Sequence, residues 1–315
     1  MAKNSDKVIN KFGVNNPQVL ESEFYREYNF DYWLYKINLL KSTHNNVLSE
    51  ELKKEIQDFN EEQFKRMLRT ELHFLYFQMT ETLFEIIFAL AKHDNRYLWL
   101  ALSFSNERNS VYFSETYKSI SELAESRAKL TTFFKRNIIT VINGEKTKVP
   151  LIRWLFYFIH ELDAPKEDFE TSLSNIETLL YRFAKDFSDR GEYNAYKHSL
   201  RFYNASHSLT IRAENGIGEA HTLGSSLDSI IFLEEYKKNK EEGLIRVAQT
   251  TKPFDFECDL NCCFAIYHLI RNLIQSRKHT LLNSKEPLKL FVFSSPDIID
   301  STISKLGVSK TTITV

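Results

Sequence analysis

Asp189-Arg-Gly-Glu-Tyr-Asn-Ala-Tyr-Lys-His-Ser-Leu-Arg-Phe-Tyr-Asn-Ala-Ser-His207 is the stretch on which the fold turns. Before it, apolar residues recur at helical spacing; after it, the period shortens to that of strands. Read as one helix at about 100° per residue, it places Arg190, Asn194, His198 and Arg201 on a single stripe. Tyr193, Tyr196, Leu200 and Tyr203 fall on the roughly opposite stripe as an apolar keel. The polar stripe suits a phosphate or RNA site: two guanidinium groups for charge-assisted bonds, and an imidazole that can move a proton near neutral pH. The same residues also suit a structural role, with Asn194 and His198 tying the helix to neighbouring backbone and the arginines pairing with acids such as Glu192.

Upstream, residues 19–41 carry aromatics at helical spacing. Ser49 is placed to start a helix running to about residue 92, with a break near Asp58-Phe-Asn60. Leu72, Leu75, Met79, Leu83, Ile86 and Leu90 share one side of it. Phe74, Phe77, Phe84 and Phe88 fill other sides, which marks a central helix. Its most apolar run is interrupted by Gln78, Glu81 and Glu85, so it reads as a buried helix and not a membrane span. With Glu71 and His73 these residues form a polar seam or a solvated edge. Residues 95–105 read as a short buried element and 113–137 as a helix. Asn143-Gly144 between β-branched runs predicts a hairpin over about 139–149. Pro150 then starts a helix to 161, and Pro165 another to 187.

Downstream, Ser208–Arg212, Ser229–Leu233 and Gly243–Gln249 read as short strands, with Gly216-Ile-Gly218 and Lys237-Lys-Asn-Lys240 as turns. A long helix follows from about Asp255 to Leu282, then a strand at Lys289–Phe293 and a short helix near 296–306. The expected fold is mainly α: an antiparallel helical bundle with a β-hairpin and a small β excursion at about 208–250, before the last long helix. The expected division is a loose segment 1–18, a helical domain 19–283 and a C-terminal extension 284–315.

The 315 residues are 43% hydrophobic and 14% aromatic, enough for a sizeable core, and only 8 Gly and 6 Pro favour long helices over a turn-rich sandwich. The 41 basic and 42 acidic residues nearly cancel, so non-specific nucleic-acid binding would need a local patch. Cys258, Cys262 and Cys263 are too few and too clustered for a disulfide framework, and a reducing, cytoplasmic setting is expected. They lack paired knuckle spacing, so they read as small hydrophobes. No metal, cofactor or membrane partner is implied. Gly-rich phosphate loops, nucleophile elbows and dinucleotide fingerprints are absent from the sequence.

Tyr193-Asn-Ala-Tyr-Lys-His198, set between a helix and a β excursion and followed by a last long helix, resembles bacterial members of the HEPN superfamily. In that family a helical bundle carries an Arg, four to six residues and a His. Many members are metal-independent ribonucleases, often dimeric, in toxin–antitoxin and antiphage systems; others bind nucleotides or protein partners. Arg201-Phe-Tyr-Asn-Ala-Ser-His207 has five intervening residues but Phe202 where the family favours a polar residue. Arg271 to His279 has the polar Asn272 but seven intervening residues. The resemblance implies His198 or His207 as the acid–base group at the ribose 2′-hydroxyl or leaving 5′-oxygen, and Arg201 as the stabiliser of phosphorane charge. Arg190, Asn194 and Arg271 would bind substrate. It also implies RNA as substrate and a homodimer. The alternative is a non-catalytic module that uses the aromatic N-terminal region and the keel for dimerisation or for a protein partner.

Overall fold

The computed structural model describes residues 17–46, 48–55, 58–92, 98–99, 101–102, 111–142, 145–158, 166–197, 202–211, 221–239, 244–285, 287–295 and 309–314. The fold is mainly α, with one two-stranded and one four-stranded antiparallel sheet. In order, the elements are α1 (Pro17–Glu27), α2 (Asp31–Asn45), α3 (Glu50–Glu55), α4 (Glu61–Lys92), α5 (Val111–Ala124), α6 (Arg127–Lys135), β1 (Asn137–Ile142), β2 (Glu145–Pro150), α7 (Leu151–Phe156), α8 (Lys166–Ser188), α9 (Gly191–Lys197), β3 (Phe202–Ile211), β4 (His221–Asn239), β5 (Leu244–Pro253), α10 (Phe256–Leu281) and β6 (Ser309–Thr314). The chain forms two compact units, neither continuous in sequence. One comprises residues 1–33, 79–188 and 265–296; the other comprises 34–78, 189–264 and 297–315. The helices α2, α4 and α10 each contribute to both.

In the first unit α8 lies along α5, and α6 and α7 also meet it. Its inward residues Ile176, Leu179, Leu180, Phe183 and Phe187 are buried, as the spacing predicts. The single helix expected over 113–137 is two. Ser126 is extended, and its hydroxyl accepts from the backbone of Lys129 at 3.2 Å, so it caps a fresh start. The expected hairpin forms, with Ile138 opposite Val149 and Thr140 opposite Thr147. The turn Asn143-Gly144 itself lies outside the described residues. Pro150 caps α7 rather than entering it, and α7 is shorter than expected. Phe158, with φ 54°, is in the left-handed region just beyond its end. The α7 carbonyls of Leu155 and Trp154 accept from the buried Arg277 guanidinium at 2.8 and 3.2 Å.

The strand expected at Lys289–Phe293 is extended chain without a ladder partner among the described residues. Buried side chains take the place of a neighbouring strand. Asn272 on α10 donates to the Phe291 carbonyl at 2.8 Å and accepts from the Phe291 N–H at 2.9 Å. Ser172 accepts from the Phe293 N–H, and Asn175 donates to the Phe293 carbonyl, both at 2.8 Å. Each backbone group is thus satisfied without a sheet. The helix expected near 296–306 lies outside the described residues.

In the second unit the break before α4 falls where expected. Asp58 has φ 55°, and the Asn60 side chain caps the N–H of Gln63 at 2.9 Å. The residues of α4 read as core are buried, from Leu72 to Leu90. Glu71, Glu81 and Glu85 are half-buried and Gln78 is exposed, a polar edge. By length and composition α4 could cross a membrane, but 72% of its most apolar window is buried inside the protein, as in a core helix. The larger sheet has the order β3-β4-β5-β6. It is longer than expected at both ends of the excursion, and Lys237–Asn239, read as part of a turn, pair within β4 against β5. β6, from the chain's end, was not foreseen.

The Asn272 contacts lead to a stability prediction. Asn272→Ala orphans the N–H of Phe291, at about 1–3 kcal/mol, while the Phe291 carbonyl keeps the Tyr157 hydroxyl at 3.1 Å. Urea denaturation should show a correspondingly lower midpoint; an unchanged midpoint would mean that the 287–295 segment is not held as described.

Candidate functional site

The helix expected to span 189–207 ends at Lys197 among the described residues, and 202–211 is strand β3. Pairing decides this: Phe202, Tyr203 and Asn204 lie opposite Phe232, Ile231 and Ile230 of β4, so their backbone groups have ladder partners a helix would forgo. The one-helix stripe and its keel are therefore corrected. Tyr193 is buried, whereas Tyr203 is 57% exposed. Tyr193 stacks on Phe77 at 5.5 Å and Tyr196 on Phe74 at 4.1 Å. These contacts lay the aromatic side of α9 against α4 and leave Asn194 and Lys197 exposed, the Lys197 ammonium reaching back over the Tyr193 ring at 5.0 Å.

Behind α9 lies a buried charge cluster. His73 enters from α4, in the apolar run Leu72-His-Phe-Leu-Tyr-Phe77. Its Nδ1 donates to Asp259 Oδ2 on α10 at 2.8 Å, and its Nε2 faces Glu192 Oε1 on α9 at 3.8 Å. Glu192 Oε2 accepts from Lys252 Nζ on β5 at 2.9 Å, and Lys252 also pairs with Asp189 at 3.0 Å. Phe254 stacks on the imidazole at 4.7 Å and Phe77 meets it edge-on at 5.1 Å. His73, Glu192 and Asp259 are all buried.

The charge states follow from the partners. Burial alone pushes the His73 imidazole down, but Asp259 and then Glu192 outweigh it and raise the pKa to about 9. Burial likewise raises Glu192, and its bonds to His73 and Lys252 more than reverse this, leaving it below the usual carboxylate range. For Lys252, burial lowers and Glu192 and Asp189 raise; the net direction is up. At neutral pH the cluster is an imidazolium and an ammonium threaded among carboxylates. A charged, buried imidazole with both N–H groups committed is a clasp, not a general base. One turn earlier on α4, Arg69 grips Asp228 of β4 with Nε at 2.5 Å and Nη2 at 3.1 Å. Arg69 and His73 thus tie one face of α4 to the sheet, α9 and α10.

Of the residues singled out by sequence, Arg190 is buried and Asn194 is exposed, one turn apart at α9. His207 sits in β3 opposite Leu227. His198 and Arg201 lie outside the described residues. Arg271 belongs to the other unit, half-buried on α10 one turn after His268. His268 stacks on Phe291 at 3.9 Å, and burial, then the Arg271 charge, lowers its pKa to about 4. Asn272, the polar residue after Arg271, is committed to the Phe291 backbone. Cys262 and Cys263 are buried and Cys258 half-buried, all as free thiols, and burial pushes the Cys263 thiol well up. Among the described residues no group of His, Cys, Asp or Glu is arranged to hold a metal ion.

Sequence reasoning placed His73 only in a polar seam and missed Asp259 and Lys252. The available signal was the lone His73 inside the apolar run Leu72–Phe77 and the acids Glu257 and Asp259 at the head of the otherwise uncharged run Phe256–Ile266. No protein-family model matches the chain, and comparison with curated proteins and with solved structures gives no match.

The clasp carries a pH signature. A His whose folded pKa lies above its unfolded value contributes stability that is complete below about pH 6.5 and lost as pH rises through about 9. Denaturation midpoints of the wild type should fall across that window, and His73→Gln should flatten the fall while costing about 3–5 kcal/mol, as for any buried pair losing one partner. An unchanged pH profile in the variant would contradict the assignment.

Proposed function

We propose that the chain binds RNA at the end of α9, in the manner its HEPN-like resemblance implies, with metal-independent cleavage as the associated chemistry. One observation carries the reading: a buried ion cluster fixes α9 while the Asn194 and Lys197 face of the Tyr193–His198 box is presented to solvent. Charges this deeply buried cost free energy unless fully paired, so a seven-residue helix held by them is a rigid mount. In this reading the exposed Asn194 orients the strand with the buried Arg190 set behind it, Arg201 meets phosphate charge, and His198 or His207 moves the proton. A homodimer in the cytoplasm, acting in stress or antiphage response, is the setting the resemblance suggests.

A second reading is a non-catalytic interaction module. Tyr35 and Leu39, one turn apart on α2, are 65% and 66% exposed, an apolar face suited to a second copy or a protein partner.

RNA cleavage without metal separates the two. Wild type should leave 2′,3′-cyclic ends, and His198→Ala or His207→Ala should lower the rate about 10²–10⁴-fold, the usual weight of a general acid–base group. No cleavage and no RNA binding by folded protein, with a dimer that dissociates in Tyr35→Asp, would give the module reading instead.

A further inference from the structure

From Arg127 to Arg153, Lys or Arg stands at 127, 129, 135, 136, 146, 148 and 153, and Glu145 is the sole acid, in a chain of net charge −1. The first unit folds this segment into α6, the β1–β2 hairpin and α7. Some of the charge is spent locally: Lys129 pairs with Glu125, and Arg127 donates to Thr178. Lys135, Lys146 and Lys148 are exposed and have no partner among the described residues. Arg136 is held at two points, its guanidinium 4.5 Å over the Phe133 ring and bonded to the Ala91 carbonyl at 3.2 Å.

The register puts Lys146 and Lys148 on one face of the hairpin. Ile138 and Val149 pair on the inner side, where Val149 is buried; Ile139 pairs with Lys148 on the outer side, where Ile139 is 69% exposed. Lys146 shares that outer side, two residues along and about 7 Å away. The base is fixed by the Leu151 N–H donating to the Arg136 carbonyl at 2.8 Å. The result is a stiff ribbon with a row of unneutralised ammonium groups and a pinned guanidinium plane at its foot.

We propose that this ribbon face holds the phosphate backbone of a single-stranded nucleic acid; the inference rests on the RNA-binding reading above. Cations repeating along an extended strand match a linear polyanion, and the held guanidinium of Arg136 offers a plane for a base. A lipid surface would call for a broad apolar face beside the charge, and among the described side chains Ile139 is the one large apolar group exposed there.

The test is fluorescence anisotropy with a labelled RNA oligonucleotide across about 50–200 mM salt. It compares wild type, Lys146→Gln/Lys148→Gln and Asn194→Ala, with anionic phospholipid vesicles as a separate arm. Two lost phosphate contacts should lower the salt slope by about 1.4, at about 0.7 per contact for single strands, and weaken binding about tenfold or more at the lower salt. That result upholds the ribbon; if Asn194→Ala then binds like wild type, the α9 reading fails alone. Unchanged binding by the lysine variant, with Asn194→Ala weakened, overturns the ribbon and leaves α9. Vesicle binding in place of RNA binding, or no RNA binding by wild type at the lowest salt, overturns both.

Discussion

An imidazolium buried among aromatic rings is costly unless both of its N–H groups face acceptors and at least one of these is charged. His73 meets that condition through Asp259 and Glu192, and Glu192 in turn needs Lys252. The four groups come from α4, α10, α9 and β5, so the constraint is global within its unit. None of the four elements can shift without leaving a buried charge short of its partner. Apolar contacts surround the cluster, with Phe254 and Phe77 against the imidazole and Tyr193 stacked on Phe77. Those contacts supply burial energy, but they tolerate sliding. The ion cluster does not, and it sets the position of a helix only seven residues long.

The same division of labour recurs in the other unit, with hydrogen bonds to backbone in place of ion pairs. Asn272 and Ser172 hold the 287–295 segment by its backbone, and Arg277 holds the end of α7 by two carbonyls. In both units a few buried polar side chains fix segments that regular secondary structure would leave loose. The surfaces proposed to act, the outer side of α9 and the outer side of the hairpin, each lie on the reverse of an element fixed in this way.

Much of the fold was legible because its signals are local. The apolar spacing of α4 and α8, the β1–β2 hairpin and the break at Asp58–Asn60 each depend on a few neighbouring residues. The stretch after Lys197 misled for a physical reason: Leu200 and Tyr203 continue the helical wheel of Tyr193 and Tyr196, and only the pairing of 202–204 with β4, a partner set apart in sequence, decides for strand. The ladderless 287–295 segment had the composition of a strand, but its partners are side chains. The clasp was the least legible, since His73 and Asp259 are 186 residues apart and single charges in apolar helices do not announce their partners. The basic hairpin, by contrast, was open to view in the sequence; the near-neutral total masked it.

The central claim is that His73 is an imidazolium clasped between two carboxylates. Its ring can be followed directly by NMR, with the His73 signals assigned by comparison with His73→Gln. The account predicts a doubly protonated ring throughout the neutral range, titrating only near pH 9. A ring that titrates near 6.5, or that is neutral at pH 7, would contradict it.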